Sequence, residues 1–373
     1  MRYMLSRYYN VGALIVAGGF SSRMKDFKPL MKIGDKTVIE TAINNFRLLG
    51  AGKIIVVTGF RADDIENGLK GCDIKILKNE NYSTTQMFDS VCIGLRELNN
   101  TVDMTFVTPV DSPFVQQFTL KKMVEEMTDG KLEVVQPAYD GQEGHPLLLS
   151  RDAIEHMLKH DGAMGMRGAI SGIKKYRKLF FADPGIIMDA DDMTDYFKLL
   201  EYFKGKNIPS VELCEKIQNY FNMTDNVKRH CGMVAHVALD LCVKLSQKGI
   251  DLNKDIVAAA AMLHDIAKGN SMHEKVGAMW LKDMGYTEIA EIVEEHMELE
   301  TISDVLTEKE VVFLADKMVK GDKIISIDER FSDKENLYNH DEVIIKKVKK
   351  RKEQALKILS MINDVEPVIF NKT

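Results

Sequence analysis

The chain has 373 residues, 45% of them hydrophobic and 28% charged, with a formal net charge of −6. That length exceeds one ordinary core and argues for two domains, while the acidic balance excludes a general nucleic-acid or anionic-membrane surface. The five cysteines (Cys72, Cys92, Cys214, Cys231, Cys242) form no Cys-x-x-Cys pair and read as reduced thiols of a cytoplasmic protein; neither a signal peptide nor a membrane-length apolar run is evident.

In chain order, Ala13 to Ala17 is an apolar run that predicts a buried strand. It leads into Gly18-Gly19-Phe20-Ser21-Ser22-Arg23 and on to Lys28-Pro29. Glycines allow close backbone approach, so this loop can present bare N–H groups, and Arg23 and Lys28 add fixed positive charge. Many donors, little bulk and charge compensation are what a polyphosphate needs. The loop is neither a Walker pattern, lacking Gly-Lys-Ser/Thr, nor a dinucleotide fingerprint, lacking the third glycine.

A helix is predicted from Thr37 to Leu49, then a strand from Lys53 to Thr58, a helix through Ile65 and Leu69, and a strand from Asp73 to Leu77. Helix Thr84 to Leu98 and strand Met104 to Thr108 follow. This alternation predicts an α/β three-layer domain whose functional loops lie at the carboxyl ends of its strands. Asp111 stands just past such an end, suited to hold Mg²⁺ against a triphosphate, though a turn aspartate has the same local sequence. Gly144-His145-Pro146 precedes an aliphatic strand, and Asp189, Asp191 and Asp192 cluster after Ile186-Ile187.

Residues 12–200 resemble the nucleotidyltransferases of molybdenum cofactor maturation, the cytidylyltransferases more than the guanylyltransferases. The resemblance rests on ordered segments: Ala17-Gly18-Gly19-Phe20-Ser21-Ser22-Arg23-Met24 with Lys28, Val57-Thr58-Gly59-Phe60-Arg61, Asn79-Glu80-Asn81-Tyr82, Asp111-Ser112-Pro113, Gly144-His145-Pro146 and Asp189-Ala190-Asp191. It implies a Rossmann-like nucleotide-binding fold. Ala17, Gly18, Gly19, Ser21, Ser22, Thr58, Gly59, Gly144 and His145 would contact nucleotide or acceptor. Arg23, Lys28 and Asp111 would carry catalysis, with Asp189 or Asp191 completing a Mg²⁺ site around Asp111. The chain departs from the family at Lys25, where a glycine is usual, at Gln86-Met87, and at Asp192-Met193-Thr194.

Gly205 to Ser210 reads as a domain boundary. Beyond it the patterning is helical: Val211 to Phe221, Asn226 to Ser246, Asp255 to Lys268, His273 to Met284, Glu288 to Met297 and Glu308 to Lys320, the last with a Thr307/Glu310 capping box and Gly321 at its stop. His230, His264-Asp265, His273, His296 and Asp316 fall on or at the ends of successive helices. Any single one would serve as a satisfied core residue, but facing helices are also how bundles build metal sites. Imidazole plus carboxylate suits Mn, Fe or Mg.

His230, His264-Asp265 and Asp316 in this order resemble the HD phosphohydrolase superfamily over about residues 222–335. The resemblance implies that these four hold one metal, that His273 and His296 are the extra ligands of two-metal members, and that Lys268 faces the substrate phosphate. A C-terminal helix cation is the plainer role for Lys268. The tail, basic from Lys346 to Lys352, predicts one last amphipathic helix with a solvated charged face.

The expected organisation is therefore a nucleotidyltransferase domain at 1–204, a linker and connecting helix at 205–221, an HD domain at 222–335 and a helical tail at 336–373. The expected activity is transfer from an NTP, CTP first among them, to a phosphate-bearing acceptor of molybdopterin type, releasing pyrophosphate, with a molybdoenzyme as client and a metal-dependent phosphohydrolase at the second site. The alternative is a sugar phosphate or other small phosphate as acceptor, with the helical domain as a nucleotide-binding regulator.

Overall fold

Strand β1 (Val11–Ala17) is buried along its whole length, as an unbroken aliphatic run requires of a strand with neighbours on both edges. The computed structural model describes residues 9–19 and 27–364, which fall into two units parting between Lys204 and Gly205. After β1 come β2 (Lys32–Ile33), β3 (Lys36–Thr37), α1 (Val38–Leu49), β4 (Lys53–Thr58), α2 (Ala62–Gly68), β5 (Lys75–Lys78) and α3 (Met87–Leu98). Then follow β6 (Met104–Pro109), α4 (Gln117–Asp129), β7 (Val134–Tyr139), β8 (Gln142–Glu143) and β9 (Leu147–Ser150). The first unit ends with α5 (Arg151–Leu158), α6 (Gly165–Ser171), β10 (Tyr176–Phe180) and α7 (Met193–Gly205).

The main sheet has the order β10-β7-β9-β6-β1-β4-β5, with β8 paired to β7. β1 is parallel to β4 and β6, in a register that sets Ala17 beside Thr58 and Val16 beside Pro109. β9 runs antiparallel to both β6 and β7, so the sheet is mixed and mainly parallel. The chain leaves β1 for β4 on one side and reaches β6 on the other. Such a switch point opens a crevice at the carboxyl ends of the strands.

Leu14, Val16, Ile55 and Val57 point into a core with Val91 and Leu95 of α3 and Met157 of α5. Alternate residues such as Ile15 and Val56 are equally buried on the opposite face. α1 starts at a capping box between Thr37 and Glu40 and stops at Gly50, whose φ of 87° favours glycine. α3 begins at Met87 rather than Thr84. Asn79 accepts from the Asn81 N–H, and the Thr84 and Thr85 hydroxyls donate to the Asn81 carbonyl, so these polar side chains hold a turn instead of a helix. α7 belongs to this unit: Tyr196 and Leu199 pack with Ile33, Val38 and Phe114, and the Tyr196 hydroxyl donates to the Lys32 carbonyl.

The second unit contains α8 (Val211–Tyr220), α9 (Asp225–Ser246), α10 (Lys254–Leu263), α11 (His273–Asp283), α12 (Thr287–Glu295) and α13 (Glu308–Lys317). The alanines of α10 are buried, and small side chains let neighbouring helices approach closely. α10 stops at Leu263, not at Lys268, and residues 264–269 form turns. α13 ends at Lys317, where a short hairpin, β11 (Val319–Lys320) and β12 (Lys323–Ile324), turns at Gly321 with φ 63°. Helix α14 (Ile327–Leu337) follows the hairpin, and the tail forms the one last helix expected of it, α15 (Glu342–Asp364). Among the described residues no helix is long and apolar enough to cross a membrane. All five cysteines are unpaired, and all but Cys72 are buried.

Candidate active sites

In the first unit a cleft of about 240 Å³ opens at the carboxyl ends of β1 and β6, lined by Ala17, Gly18, Gly19, Lys28, Ser90 and Asp111. Lys28 lies between two acids, its Nζ 3.7 Å from Asp111 Oδ2 and 3.6 Å from Asp191 Oδ1. The Ala190 N–H donates to the Asp111 carbonyl at 3.2 Å, which holds the Asp189–Asp191 segment beside the end of β6. Burial raises the Asp111 carboxyl above its ordinary range, Lys28 opposes this, and Asp189 and Asp191 add to it. Burial and the neighbouring carboxylates Asp191 and Asp195 likewise raise Asp189. A site that crowds three carboxylates around one ammonium favours an added cation, and its oxygen donors suit Mg²⁺.

The other nucleotide candidates are distributed unevenly. Thr58, Gly59, Gly144 and His145 do not line this cleft, and Ser21, Ser22 and Arg23 lie outside the described residues. Gly59 buttresses the glycine turn: a Cβ there would sit 2.9 Å from the Gly18 carbonyl oxygen. Gly144 does the same for the acids. A Cβ on it would lie 2.1 Å from the Ile186 carbonyl oxygen, and that carbonyl accepts the His145 N–H at 2.7 Å. The segment thus held runs straight into Asp189. Burial presses the His145 imidazole down to about 4, and its Nδ1 has no hydrogen-bond partner. Sequence reasoning misses Ser90 on the cleft wall and gives no role to Tyr82, though it stands in the matching Asn79–Tyr82 segment. The signal for Ser90 is the polar Asn79–Gln86 turn, where Asn79 Nδ2 donates to Thr85 and Ser90.

In the second unit His230 comes from α9, Asp265 from the turn after α10, His273 from the start of α11, His296 from the end of α12 and Asp316 from α13. Two groups bring their ligand atoms within 4.8 Å of one another: His230, His264 and Asp265, and Asp265, His273 and His296. His230 Nε2 is 3.1 Å and His264 Nε2 3.7 Å from Asp316 Oδ1. His273 Nε2 is 3.1 Å and His296 Nε2 3.7 Å from Asp265 Oδ1. All six predicted ligands therefore meet. Among the described residues no such triplet forms from Asp111, Asp189 and Asp191.

The protonation pattern fits metal ions. His230 Nδ1 bonds to the Gly321 carbonyl at 2.8 Å, His264 Nδ1 to Ala261 at 2.7 Å and His296 Nδ1 to Val293 at 2.7 Å. A carbonyl only accepts, so each Nδ1 carries a proton and each Nε2 is turned toward the centre, where it can offer its lone pair to a cation. Nε2 of His264, His273 and His296 and Oδ1 of Asp265 are buried with no hydrogen-bond partner. Buried orphans of this kind are costly unless a cation meets them. Burial depresses the His264 imidazole to about 4, keeping it neutral. Burial alone would raise Asp265 and Asp316, but the imidazoles around Asp265 with Lys268, and Lys317 with His230 beside Asp316, hold both well below the usual carboxylate range. Lys268 bonds Asp265 Oδ2 at 2.8 Å, so it is tied to a ligand in this state. Sequence reasoning misses Lys317, buried beside Asp316, whose Nζ donates to Asp316 Oδ2 at 2.6 Å and to the His296 carbonyl at 2.8 Å.

The model of the MobA-like NTP transferase domain matches residues 13–178, and that of the HD domain matches residues 227–321. Over 194 residues the chain is 26% identical to molybdenum cofactor cytidylyltransferase of Escherichia coli (strain K12), which covers 52% of this chain and 97% of that protein. Over 133 residues it is 28% identical to a probable molybdenum cofactor guanylyltransferase of Natranaerobius thermophilus, covering 35% of this chain and 62% of that one. A solved nucleotidyl transferase from Methanothermobacter thermautotroptrophicus superposes with a TM-score of 0.46 at 22% identity, covering 52% of this chain and 97% of that one. The chain is an enzyme of transferase type in which residues 13–178 belong to the MobA-like NTP transferase domains, and residues 227–321 to the HD domains.

Proposed function

We propose that the chain is a bifunctional cytoplasmic enzyme. Its first unit transfers cytidylyl from CTP to the terminal phosphate of a molybdopterin-type cofactor destined for a molybdoenzyme. Its second hydrolyses a phosphate ester or anhydride. The observation that carries the bifunctional reading is the cluster of partnerless ligand atoms on His264, Asp265, His273 and His296, in a chain whose other unit has an open cleft beside Gly18 and Lys28.

In the first unit the glycine turn and Lys28 would neutralise the triphosphate and align its α-phosphorus with the acceptor oxygen. Asp111, with Asp189 or Asp191, would hold Mg²⁺, which supplies charge compensation to the leaving pyrophosphate. In the second unit His230, His264, Asp265 and Asp316 would hold one divalent ion, and His273 and His296, with Asp265, another, Mn or Fe suiting these donors. Such an ion supplies a water of near-neutral pKa. The Nδ1 bonds keep the imidazoles aimed, and Lys317 keeps Asp316 ionised and oriented.

Purified chain given Mg²⁺, CTP and the pterin should release pyrophosphate. Asp111→Ala should abolish this and leave hydrolysis of p-nitrophenyl phosphate intact, and Asp265→Ala should do the reverse. Equal turnover by Asp111→Ala and the parent chain would overturn the transferase site. Preference for a sugar phosphate over the pterin would replace the acceptor and leave the rest standing.

A further inference from the structure

The metal-ligand cluster of the second unit opens into a small pocket of about 90 Å³. Besides the ligands it is lined by five cations: Lys268, Lys317, Arg330, Lys334 and Arg351. Three of them have carboxylate partners. Lys317 is bound to Asp316, Lys268 to Asp265, and Arg351 Nε lies 3.1 Å from Glu298, which Lys350 also engages at 2.7 Å. Arg330 and Lys334 have no carboxylate partner among the described residues. Arg330 Nε is buried with no acceptor, and the Lys334 ammonium has only the Phe331 ring, 6.0 Å away.

These two cations stand four residues apart on α14, the spacing at which like charges face each other and destabilise a helix. Burial, with Arg330, Lys317 and Arg351 adding to it, pushes the Lys334 amine down to about 8. A fold keeps unpaired, half-buried cations together where an anion is received. Both come from beyond residue 321, where the HD match ends. The pocket offers no aromatic face for a base, since Phe331 is 1% exposed. Its volume is that of about three waters, at about 30 Å³ each, which is room for one compact group.

Resting on the hydrolase reading, we infer that Arg330 and Lys334, flanked by Arg351, form a subsite for a second phosphate adjacent to the one being cleaved, so that the second unit acts on phosphoanhydrides. Water attacks one phosphorus, the bridging P–O bond breaks, the water oxygen stays on the attacked phosphorus as orthophosphate, and its protons pass to the products. The departing phosphate is the group that Arg330 and Lys334 hold, and their charge offsets the charge that develops on it. Two members of this class differ in source. Inorganic pyrophosphate is the product that nucleotidyl transfer releases, and a nucleoside diphosphate carries the same pair of phosphates on a nucleoside.

The test is calorimetric titration of Mn²⁺-loaded full chain, carrying Asp111→Ala to silence the transferase cleft, with pyrophosphate, CDP and orthophosphate. Combining Arg330→Gln with Lys334→Gln should weaken diphosphate binding at least tenfold and orthophosphate binding less than threefold, with Mn²⁺ stoichiometry unchanged. Tighter binding of pyrophosphate than of CDP identifies the free anion as the ligand, and the reverse order the nucleotide-borne one. Unchanged diphosphate affinity overturns the subsite, and so does an equal loss for orthophosphate. A parent chain that hydrolyses no phosphate compound would refute the hydrolase reading, while the binding comparison would still decide the subsite.

Discussion

His230 Nε2 and Asp316 Oδ1, 86 positions apart in sequence, face each other at 3.1 Å, a contact in which the carboxylate can only accept. Because His230 Nδ1 already donates to Gly321, only a proton or a metal cation between them makes the contact favourable. Burial opposes a charged imidazole here, yet the carboxylate of Asp316 outweighs it and His230 is raised above its ordinary value.

A metal ion should therefore stabilise this unit. Adding Mn²⁺ to metal-free chain at about a hundred times its Kd should contribute about 2.7 kcal/mol of stability. Differential scanning calorimetry should show the transition of the second unit rising by several degrees, and Asp265→Ala should show no rise.

Asp111→Ala should lower pyrophosphate release about a hundredfold or more, because the charge compensation at the leaving group goes with it. Lys28→Ala should mainly raise KM for CTP, about tenfold, through a lost ion pair with the triphosphate. Steady-state assays separate the two, and the metal content of the second unit should change in neither.

Asp183 gives a signed pH dependence. It is fully buried and accepts from the Gln116 and Gly185 N–H groups and the Thr119 hydroxyl, yet burial prevails and raises it to about 6 from 3.8. The native state then binds more protons than the unfolded chain between about pH 4 and 6, so stability falls as pH rises through that window and is level above it. The drop amounts to about 3 kcal/mol. Urea denaturation of the first unit at successive pH values should show that slope disappear in Asp183→Asn, whatever the baseline stability of the variant.

Gly144→Ala should be costly because its Cβ would meet a backbone carbonyl, not the end of a flexible side chain. A loss of about 2–4 kcal/mol is expected by urea denaturation. Pyrophosphate release should fall too, since the displaced strap carries Asp189 and Asp191.

The strands and helices nearest the cleft were legible because their apolar periods are clean. β4 spans the predicted Lys53 to Thr58, and the Thr37-to-Leu49 segment is α1 behind its cap. The six residues that meet in the second unit were legible as residue types on successive helices. What stayed hidden depends on distant contacts. Gly144-His145 has no readable mechanism until Ile186 is brought against it. The basic tail reads as a solvated face, yet Arg351 and Lys350 both bond Glu298 and Arg351 also borders the ligand cluster, contacts that only the packing of α15 reveals. The end of α10 was misplaced because Ala267 and Lys268 are good helix formers, whereas His264 and Asp265 are needed in a turn to reach their partners.

Asp265 belongs to both ligand triplets, while His230 and His273 each belong to one. A single carboxylate is thus the common abutment of two spans, and neither ion would be seated without it. Losing Asp265 should empty the whole centre, whereas losing His230 or His273 should leave a mononuclear chain. The nuclearity that hydrolysis requires is therefore decided by comparing the two histidine variants, a question that substitution at Asp265 leaves untouched.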